Sequence, residues 1–332
     1  MATTTTTATN TSDLPPTMRA WQWTSCTTTL ESSLTLNPTA PLPSRPLQKG
    51  EYLVKVAFAS LNPVDYKLAE LPVVGRLAIP KPATPGLDFF GTIAVAGPGS
   101  SLKKGQRVFG KLEPKQQFGT LGEYIIGSKA GTVPLPDEIS PEEGATLGVC
   151  GLVTYQCLVA NVKKGDRVLI NGGSGGTGTF AVQIAKALGC EVVATCSGAN
   201  VQLCKDLGAD EIIDYRTQSI TAILKESWKK FDFVLDNVGE PAELYWKAPS
   251  FTKPGSKFVV PTWLGGGQRP FSFAFASTNF EDYQGLADLL VEGKVKPAID
   301  ELFEFEKTPE AYAKLRTGRA KGKIVVRVAA KS

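Results

Sequence analysis

Histidine is absent from this sequence of 332 residues. Without an imidazole, the chain cannot build a Ser-His-Asp or Cys-His nucleophile system, an H-E-x-x-H zinc site or a histidine general base. Its six cysteines include no C-x-x-C pair, which argues against a structural zinc ribbon and against a disulfide framework. We therefore expect a reduced, cytoplasmic protein whose acid–base chemistry uses tyrosine, lysine, cysteine, carboxylates or water.

Long apolar runs and clusters of basic residues are also missing. No apolar stretch reaches the roughly 18 residues of a membrane-spanning helix, and the formal net charge is only +4. Lys and Arg never occur in blocks longer than two, so neither a membrane nor a nucleic acid is an expected partner. Residues 1–17 are rich in threonine and contain no Lys or Arg, which predicts a disordered tail rather than a targeting signal.

The chain does contain a glycine-rich turn between two apolar segments. Residues 168–170 predict a buried strand, and residues 181–188 carry apolar side chains at helical spacing. Between them Gly173, Gly175 and Gly178 fit G-x-G-x-x-G, in which a strand, a tight turn and a helix N-terminus receive a pyrophosphate. We predict a dinucleotide-binding loop made of Gly173, Ser174, Gly175, Gly176, Thr177 and Gly178.

Further strands and helices alternate after this turn. The alternation predicts an α/β fold of the Rossmann type, with a doubly wound parallel sheet. The turn lacks the Gly-Lys-Ser/Thr sequence that closes a P-loop, which excludes that kind of phosphate site. The predicted strands are 191–195, 211–215, 231–235 and 257–260, and the predicted helices are 201–207 and 220–227.

The end of the second predicted strand indicates which dinucleotide binds. An NAD site usually places an Asp or Glu there for the ribose 2′-hydroxyl, but residues 195–200 contain no carboxylate. Ser197, Asn200 and Tyr215 are instead available to donate hydrogen bonds to a 2′-phosphate. We predict NADPH as the cofactor, although no Arg occurs in residues 195–200.

Residues 18–135 contain short β-branched runs divided by Pro and Gly, which predicts a compact all-β domain ahead of the cofactor domain. Within it Asn62 is a suitable helix N-cap, followed by Pro63 and by Asp65 in the first turn. Helix capping does not account for Tyr66 and Lys67. These two side chains are therefore candidates for a functional cleft.

Six motifs follow one another along the chain, at residues 62–67, 85–91, 172–178, 207–210, 236–239 and 322–328. In this order they resemble the medium-chain dehydrogenase/reductase superfamily, in its zinc-free branch of quinone oxidoreductase-like proteins and trans-acting enoyl reductases. The resemblance implies a GroES-like catalytic domain at 18–135 and a Rossmann NADPH-binding domain at 136–279. It also implies a C-terminal segment, 280–332, that returns to the catalytic domain.

The same resemblance implies that no zinc is bound. Zinc-dependent members hold the catalytic metal with Cys, His and Cys, whereas here the first position falls at Asn62-Pro63 and the second is Leu87. Only Cys150 remains, and one thiolate cannot complete a three-ligand site. The four-cysteine structural loop is missing as well, so we expect Cys150 to be a small buried residue.

Roles for individual residues follow from the resemblance to trans-acting enoyl reductases. Lys67 is expected near the nicotinamide and the substrate, with Tyr66 as a second donor and Asn62 as a positioning residue. The remaining candidates for cofactor contacts have three origins. Thr154 matches a family threonine, and Lys323 belongs to the last motif. Asn237, Val238 and Trp263 follow predicted strands at the ligand-binding edge of the sheet.

Together these features predict a zinc-independent, NADPH-dependent reductase that transfers hydride to the activated double bond of an enone or enoyl thioester, free or carrier-bound. A quinone oxidoreductase remains open. So do a non-catalytic NADPH-binding or partner-binding protein and a redox-neutral cyclase or isomerase. Residues 271–276 alternate like an edge strand, so a homodimer is open, and a polyketide synthase is a further candidate partner.

Overall fold

The computed structural model describes residues 14–71, 74–114, 116–261, 272–273 and 277–330. Its strands are β1 (Thr17–Gln22), β2 (Thr35–Pro41), β3 (Glu51–Ser60), β4 (Asp88–Ala96), β5 (Arg107–Lys111), β6 (Tyr124–Ser128), β7 (Thr132–Pro134), β8 (Arg167–Asn171), β9 (Glu191–Cys196), β10 (Glu211–Asp214), β11 (Phe231–Asp236), β12 (Thr252–Val260), β13 (Ser272–Phe273), β14 (Ile299–Glu304) and β15 (Lys323–Arg327).

The α-helices are α1 (Leu30–Ser33), α2 (Pro63–Glu70), α3 (Pro141–Ala145), α4 (Leu152–Val159), α5 (Gly176–Ala187), α6 (Val201–Asp206), α7 (Ile220–Glu226), α8 (Glu243–Trp246), α9 (Phe280–Val291) and α10 (Thr308–Arg316). Two segments, Val74–Ala78 and Leu147–Gly151, are π-helical. Within the described ranges, no helix has the length and apolar character that a bilayer crossing requires.

The predicted doubly wound sheet is confirmed. Its parallel strands lie in the order β10-β9-β8-β11-β12-β13, which is the 3-2-1-4-5-6 order of a dinucleotide-binding fold. Every residue of β8 is buried, because helices cover both faces of such a sheet. The strand order reverses between β8 and β11, so a ligand is expected at the carboxyl ends of these two strands.

A second, largely antiparallel sheet forms the GroES-like domain. Its order is β14-β15-β3-β4-β5-β7, with β6 paired to β3 on the side. β15 pairs antiparallel with β3, through Val325 opposite Ser60 and Arg327 opposite Phe58. The last strands of the chain therefore complete a sheet that begins near residue 51. A separate two-stranded sheet joins β1 to β2.

The start of the ordered chain differs in detail from the expected boundary. Thr17, placed at the end of the predicted tail, already pairs with Pro41 in β1, and residues 1–13 lie outside the described part. At the start of the C-terminal segment, α9 contacts both domains. The Tyr283 ring packs 5.5 Å from the ring of Phe109 in β5, and its hydroxyl donates to the Gly148 carbonyl. Strands β14 and β15 then join the first sheet.

The helix expected over residues 147–155 is divided into a π-helical segment and α4. Asp88 explains the widened turn, because its Oδ1 accepts a hydrogen bond of 2.8 Å from the Val149 N–H. A Cβ added at Gly148 would lie 2.3 Å from the same oxygen, so only glycine lets the carboxylate approach this closely. The π-helical segment thus wraps around a buried carboxylate of the other domain.

Candidate active site

The glycine loop leads directly into α5 at the point where the strand order reverses. Gly175 is the N-cap, so the N–H groups in the first turn of α5 lack intrahelical acceptors. A Cβ added at Gly178 would lie 2.0 Å from the Gly172 oxygen, whereas one at Gly175 would have no neighbour nearer than 3.8 Å. Gly178 therefore closes the loop on itself, and Gly175 presents open backbone. This arrangement fits a pyrophosphate group.

Buried polar side chains at the ends of three neighbouring strands hold the loop. The Thr195 hydroxyl accepts a hydrogen bond from the Gly172 N–H (2.9 Å) and donates one to Asn171 Oδ1 (2.6 Å). Asn171 Nδ2 donates to Asp236 Oδ1 at 2.8 Å. Asp236 Oδ1 also accepts from the N–H groups of Val238 and Gly239. One continuous network thus fixes the glycine loop and the turn after β11 relative to each other.

The residues expected at the adenosine end lie at the ends of β9 and β10. Asn200 Nδ2 donates to the hydroxyl of Ser174 in the glycine loop at 3.0 Å, and the buried Asn200 Oδ1 has no partner among the described residues. Ser197 opens the short turn that contains Asn200. The Tyr215 N–H donates to the Cys196 carbonyl, which brings this half-exposed tyrosine beside the same strand end.

Two charged residues also reach this strand end from β10, and the sequence reasoning did not assign them to it. The Arg216 guanidinium lies 5.9 Å from the centre of the Tyr215 ring. A Cβ added at Gly198 would lie 2.8 Å from Asp214 Oδ2, so a carboxylate also borders this turn. Asp214 pairs with Cys196 at the ends of β10 and β9, and Arg216 follows two residues later. The charge at the adenosine end therefore depends on two strands and not only on residues 195–200.

Three residues after β11 and β12 were predicted to contact the cofactor, and the structure describes two of them. Both polar side-chain atoms of Asn237 are buried and have no hydrogen-bond partner in the described part of the chain. Val238 is 53% exposed and covers Gly172, where an added Cβ would meet it at 2.5 Å. Trp263 lies outside the described residues. An unpartnered amide beside the glycine loop fits a ligand with many polar groups, such as a dinucleotide.

Lys323 lies at the centre of a buried polar cluster between the two sheets. Its side chain is 2% exposed. Its ammonium donates to Asn62 Oδ1 at 2.6 Å, to the Leu61 carbonyl at 3.1 Å, to Asp88 Oδ2 at 3.4 Å and to Cys150 Sγ at 3.5 Å. An ammonium has three protons, so these acceptors use all of its donors. Lys323 therefore does not point an unused donor toward a cofactor.

The surroundings shift the pKa values of the ionisable groups in this cluster. Burial opposes the charge of Lys323, but Cys150, Asp88 and Asp65 outweigh it and raise its pKa. Burial raises the pKa of Asp88, and Lys323 partly offsets that effect. Burial also raises the pKa of Asp65 to about 8, against the lowering effect of its hydrogen bond from the Asn62 N–H. The cluster therefore keeps the ammonium charged and Asp65 protonated at neutral pH.

The cluster contacts the cofactor loop through the residues that flank it. The Gly322 N–H donates to the Ser174 carbonyl at 3.0 Å. Cys150 Sγ lies 3.5 Å from the Thr177 hydroxyl, and Thr154, which is fully buried, donates to the carbonyls of Cys150 and Thr177. Cys150 is buried as expected, but it takes part in polar contacts. Thr154 supports the loop from behind.

Helix α2 and its N-cap contain the three residues expected at the catalytic centre, and their side chains have different surroundings. Asn62 is the N-cap, with Pro63 next, and its backbone N–H donates to Asp65 Oδ2 at 2.8 Å. Its carboxamide is turned into the Lys323 cluster, and only 1% of the residue is exposed. The catalytic role of Asn62 stays a prediction.

Tyr66 and Lys67 have contrasting surroundings. The Tyr66 ring packs 4.2 Å from the guanidinium of Arg316 in α10, and that guanidinium is paired with Glu31 and Glu70. Lys67 is partly exposed, and within the described ranges its ammonium makes no hydrogen bond or ion pair. Lys67 thus retains donors for a ligand, whereas Tyr66 is held in contact with α10.

The four groups that accept hydrogen bonds from Lys323 are not a suitable ligand set for zinc. They comprise one thiol, one carboxylate, one carboxamide and one carbonyl, with a positive ammonium between them. Catalytic zinc needs three protein ligands drawn mainly from His, Cys and carboxylates. Across the described ranges, no group of three or more His, Cys, Asp and Glu side chains could hold a metal.

Sequence reasoning missed the residues that hold the loop from below. Asn171, Thr195 and Asp236 are polar residues at the ends of predicted strands, which was a usable signal because ligands bind at the carboxyl edge of a parallel sheet. Asp65 was assigned to capping alone. No local pattern reveals that Lys323 and Asp88, far apart in sequence, share one buried cluster.

Comparison with known proteins gives matches over both domains of the chain. The sequence pattern described as "Alcohol dehydrogenase GroES-like domain" matches residues 48–137, and that described as "Zinc-binding dehydrogenase" matches residues 207–326. The chain is 45% identical to the trans-enoyl reductase pgmF of Aspergillus terreus, over 96% of this chain and 98% of that protein. It is 34% identical to a 2-methylene-furan-3-one reductase of Solanum lycopersicum, over 94% and 80%.

A solved structure provides an independent match to the fold. The quinone oxidoreductase of Coxiella burnetii superimposes with a TM-score of 0.84 at 29% sequence identity. The match covers 94% of this chain and 99% of that one. The similarity therefore extends over both sheets and the C-terminal strands.

Proposed function

The chain belongs to the medium-chain dehydrogenase/reductase superfamily of nicotinamide-dependent oxidoreductases, and we propose that it reduces an activated carbon–carbon double bond with NADPH and without zinc. The arrangement of the glycine loop and the Lys323 cluster is the observation that supports the proposal most directly. An open glycine loop borders a cluster in which an ammonium, and no metal-ligand set, occupies the centre. The substrate class is an enone or an enoyl thioester.

NADPH supplies the hydride when it is bound. The glycine loop and the first turn of α5 hold its pyrophosphate, and the amide of Asn237 supplies polar contacts nearby. Lys67 donates to the substrate carbonyl oxygen as negative charge develops there, because its ammonium has no other partner in the described part. Asn62, Lys323 and Thr154 position the loop.

The preference for NADPH rests on residues near the end of β9. Arg216 supplies the positive charge that residues 195–200 lack, and Ser197, Asn200 and Tyr215 supply hydrogen-bond donors to a 2′-phosphate. Asp214 opposes this preference. We therefore expect Arg216→Ala to weaken NADPH binding about tenfold with little effect on NADH, and Asp214→Asn to strengthen NADPH binding.

The first test measures consumption of NADPH with an enone, an enoyl thioester and a quinone, each repeated with NADH and with a zinc chelator. Turnover of the enone or thioester that prefers NADPH and ignores the chelator supports the proposal. Loss of activity with the chelator contradicts zinc independence. Tight NADPH binding without turnover of any acceptor favours the non-catalytic or redox-neutral alternatives.

The role of Lys67 needs its own experiment. We expect Lys67→Met to lower kcat about 100-fold, as for loss of one donor to a developing oxyanion, with an unchanged Kd for NADPH. Lys225→Met, at an exposed lysine of α7, is the matched control and should leave kcat unchanged. Equal turnover of wild type and Lys67→Met would remove Lys67 from the mechanism.

A quinone oxidoreductase is the second candidate, because the quinone oxidoreductase of Coxiella burnetii is similar over nearly the whole chain. The greater identity to a trans-enoyl reductase favours the enoyl substrate, free or bound to the carrier domain of a polyketide synthase. A homodimer through the edge strand β13 remains a proposal, since residues 271 and 274–276 lie outside the described part. Light scattering of the purified protein tests that dimer.

A further inference from the structure

Three side chains from three separate segments converge on the Lys323 ammonium. Asn62 precedes α2, Asp88 begins β4, and Cys150 lies in the π-helical segment of the nucleotide domain. Their polar atoms lie 2.6, 3.4 and 3.5 Å from Nζ, and the Leu61 carbonyl lies at 3.1 Å. Nothing in local sequence requires these segments to meet, so the cation is what they share.

Two of the atoms around the ammonium, Cys150 Sγ and Asn62 Oδ1, are spaced like neighbouring ligands of a metal ion. Cys150 Sγ lies 3.4 Å from Asn62 Oδ1. In a tetrahedral zinc site, metal–ligand bonds of about 2.0–2.3 Å place neighbouring ligand atoms roughly 3.5 Å apart. The Lys323 ammonium, on a side chain from β15, lies within 3.5 Å of both atoms and of the Asp88 carboxylate.

We propose that the Lys323 ammonium is the resident cation of this site and takes the place of a metal ion there, since Asn62 and Cys150 fall at two of the positions that the resemblance assigns to zinc ligands. It balances the charge of the buried Asp88 carboxylate, which lies 3.4 Å away. It also keeps Asn62 and Cys150 together, and Cys150 contacts the first turn of α5 through Thr177. Lys323 is therefore a positioning residue.

The replacement has a chemical consequence. A zinc ion has an open position for a substrate oxygen, whereas all donors of this ammonium are used by protein acceptors. Lys323 holds a charge in place but cannot bind the substrate carbonyl. Donors to that oxygen must come from elsewhere in the cleft.

The proposal predicts that a metal ion and this ammonium exclude each other. Asn62→Asp converts the nearest acceptor into a carboxylate of the same shape, and Lys323→Ala removes the ammonium. The double variant then has two carboxylates and one thiolate around the emptied space, a set that accepts Co²⁺ or Zn²⁺. Asn62→Asp with Lys323 retained is the matched control.

The measurement is titration with Co²⁺, followed by the visible and near-ultraviolet bands of thiolate-bound cobalt and by metal content after dialysis. We expect one Co²⁺ per chain in the double variant, bound at least tenfold more tightly than in Asn62→Asp. Equal binding by Asn62→Asp would overturn the proposal. So would a folded double variant, verified by circular dichroism, that binds no metal. The readout does not depend on the identity of the substrate.

A measurement on the wild-type protein keeps the proposal testable if the double variant does not fold. In protein labelled with ¹⁵N-lysine, the fully hydrogen-bonded ammonium of Lys323 should give a separate signal whose protons exchange slowly with water. Lys323→Arg identifies that signal by removing it. A Lys323 ammonium that exchanges as fast as the exposed lysines contradicts a resident cation.

Discussion

The Lys323 ammonium lies 3.4 Å from the Asp88 carboxylate, and the two side chains are 2% and 0% exposed. This ion pair joins the last strand of the chain to the start of β4. Removing one partner of a buried pair leaves an uncompensated charge, which costs about 3–5 kcal/mol.

We expect Lys323→Met and Asp88→Asn each to lower the free energy of unfolding by about 3–5 kcal/mol, because each leaves a buried charge alone. The double variant should be less destabilised than the sum of the two. Urea unfolding measures all three. The exposed pair of Lys247 and Glu243 is the control, where Lys247→Met should cost less than about 1 kcal/mol. Strict additivity at Lys323 and Asp88 would contradict a direct interaction.

Two glycines of the loop should respond differently to alanine. At Gly178 the new Cβ would lie 2.0 Å from a backbone oxygen, so Gly178→Ala should distort the loop and destabilise the fold. At Gly175 the nearest atom is 3.8 Å away and φ is −82°, so Gly175→Ala should fold normally. Its methyl group would occupy the open side of the loop and weaken NADPH binding at least tenfold. Thermal unfolding and fluorescence titration separate the two effects, and normal NADPH affinity in Gly175→Ala would place the pyrophosphate elsewhere.

The Thr195 hydroxyl links the glycine loop to the sheet. Thr195→Val leaves the Gly172 N–H and Asn171 Oδ1 without this partner, at a cost of about 1–3 kcal/mol. We expect lower stability and a several-fold higher Kd for NADPH. Thr221 is a buried threonine of α7 that donates instead to Glu243, so Thr221→Val serves as the control with an unchanged Kd. An equal change in Kd for both variants would mean that the effect is not specific to the loop.

Asp65 should make stability depend on pH. Its pKa is raised to about 8 in the folded protein from an ordinary value of 3.8, so the folded state binds the proton more tightly than the unfolded state does. The stability associated with this proton is complete below pH 3.8 and is lost as the pH rises to about 8. The slope is at most about 1.4 kcal/mol per pH unit.

Asp65→Asn removes this titration, so its unfolding free energy should fall less than that of wild type between pH 5.5 and 8. Denaturant unfolding across that pH range is the measurement. Asp88, Lys323 and Tyr312 face the same carboxyl group and are unchanged in the variant. Parallel stability curves for the two proteins would show that Asp65 does not carry the pH dependence.

The sequence predicted the nucleotide domain closely, because strand, glycine turn and helix are all local signals. Residues 168–170 and 181–188 have the periods of a strand and a helix, and they lie in β8 and in or directly after α5. The spacing of Gly173, Gly175 and Gly178 is a local pattern that can be recognised without the rest of the fold. The N-cap at Asn62 is local in the same way.

Only the tertiary structure decided what Lys323, Asp88, Asn62 and Cys150 do. Each has an unremarkable local reason to exist, as a strand residue, a strand start, a helix cap and a buried thiol. Their meeting depends on the C-terminal strand β15 pairing with β3 and on the π-helical segment wrapping around Asp88. Contacts between residues more than 200 positions apart leave no periodic trace in a sequence. Local sequence patterns therefore predict the fold class, whereas the cluster at the centre of the site depends on the packing of distant segments.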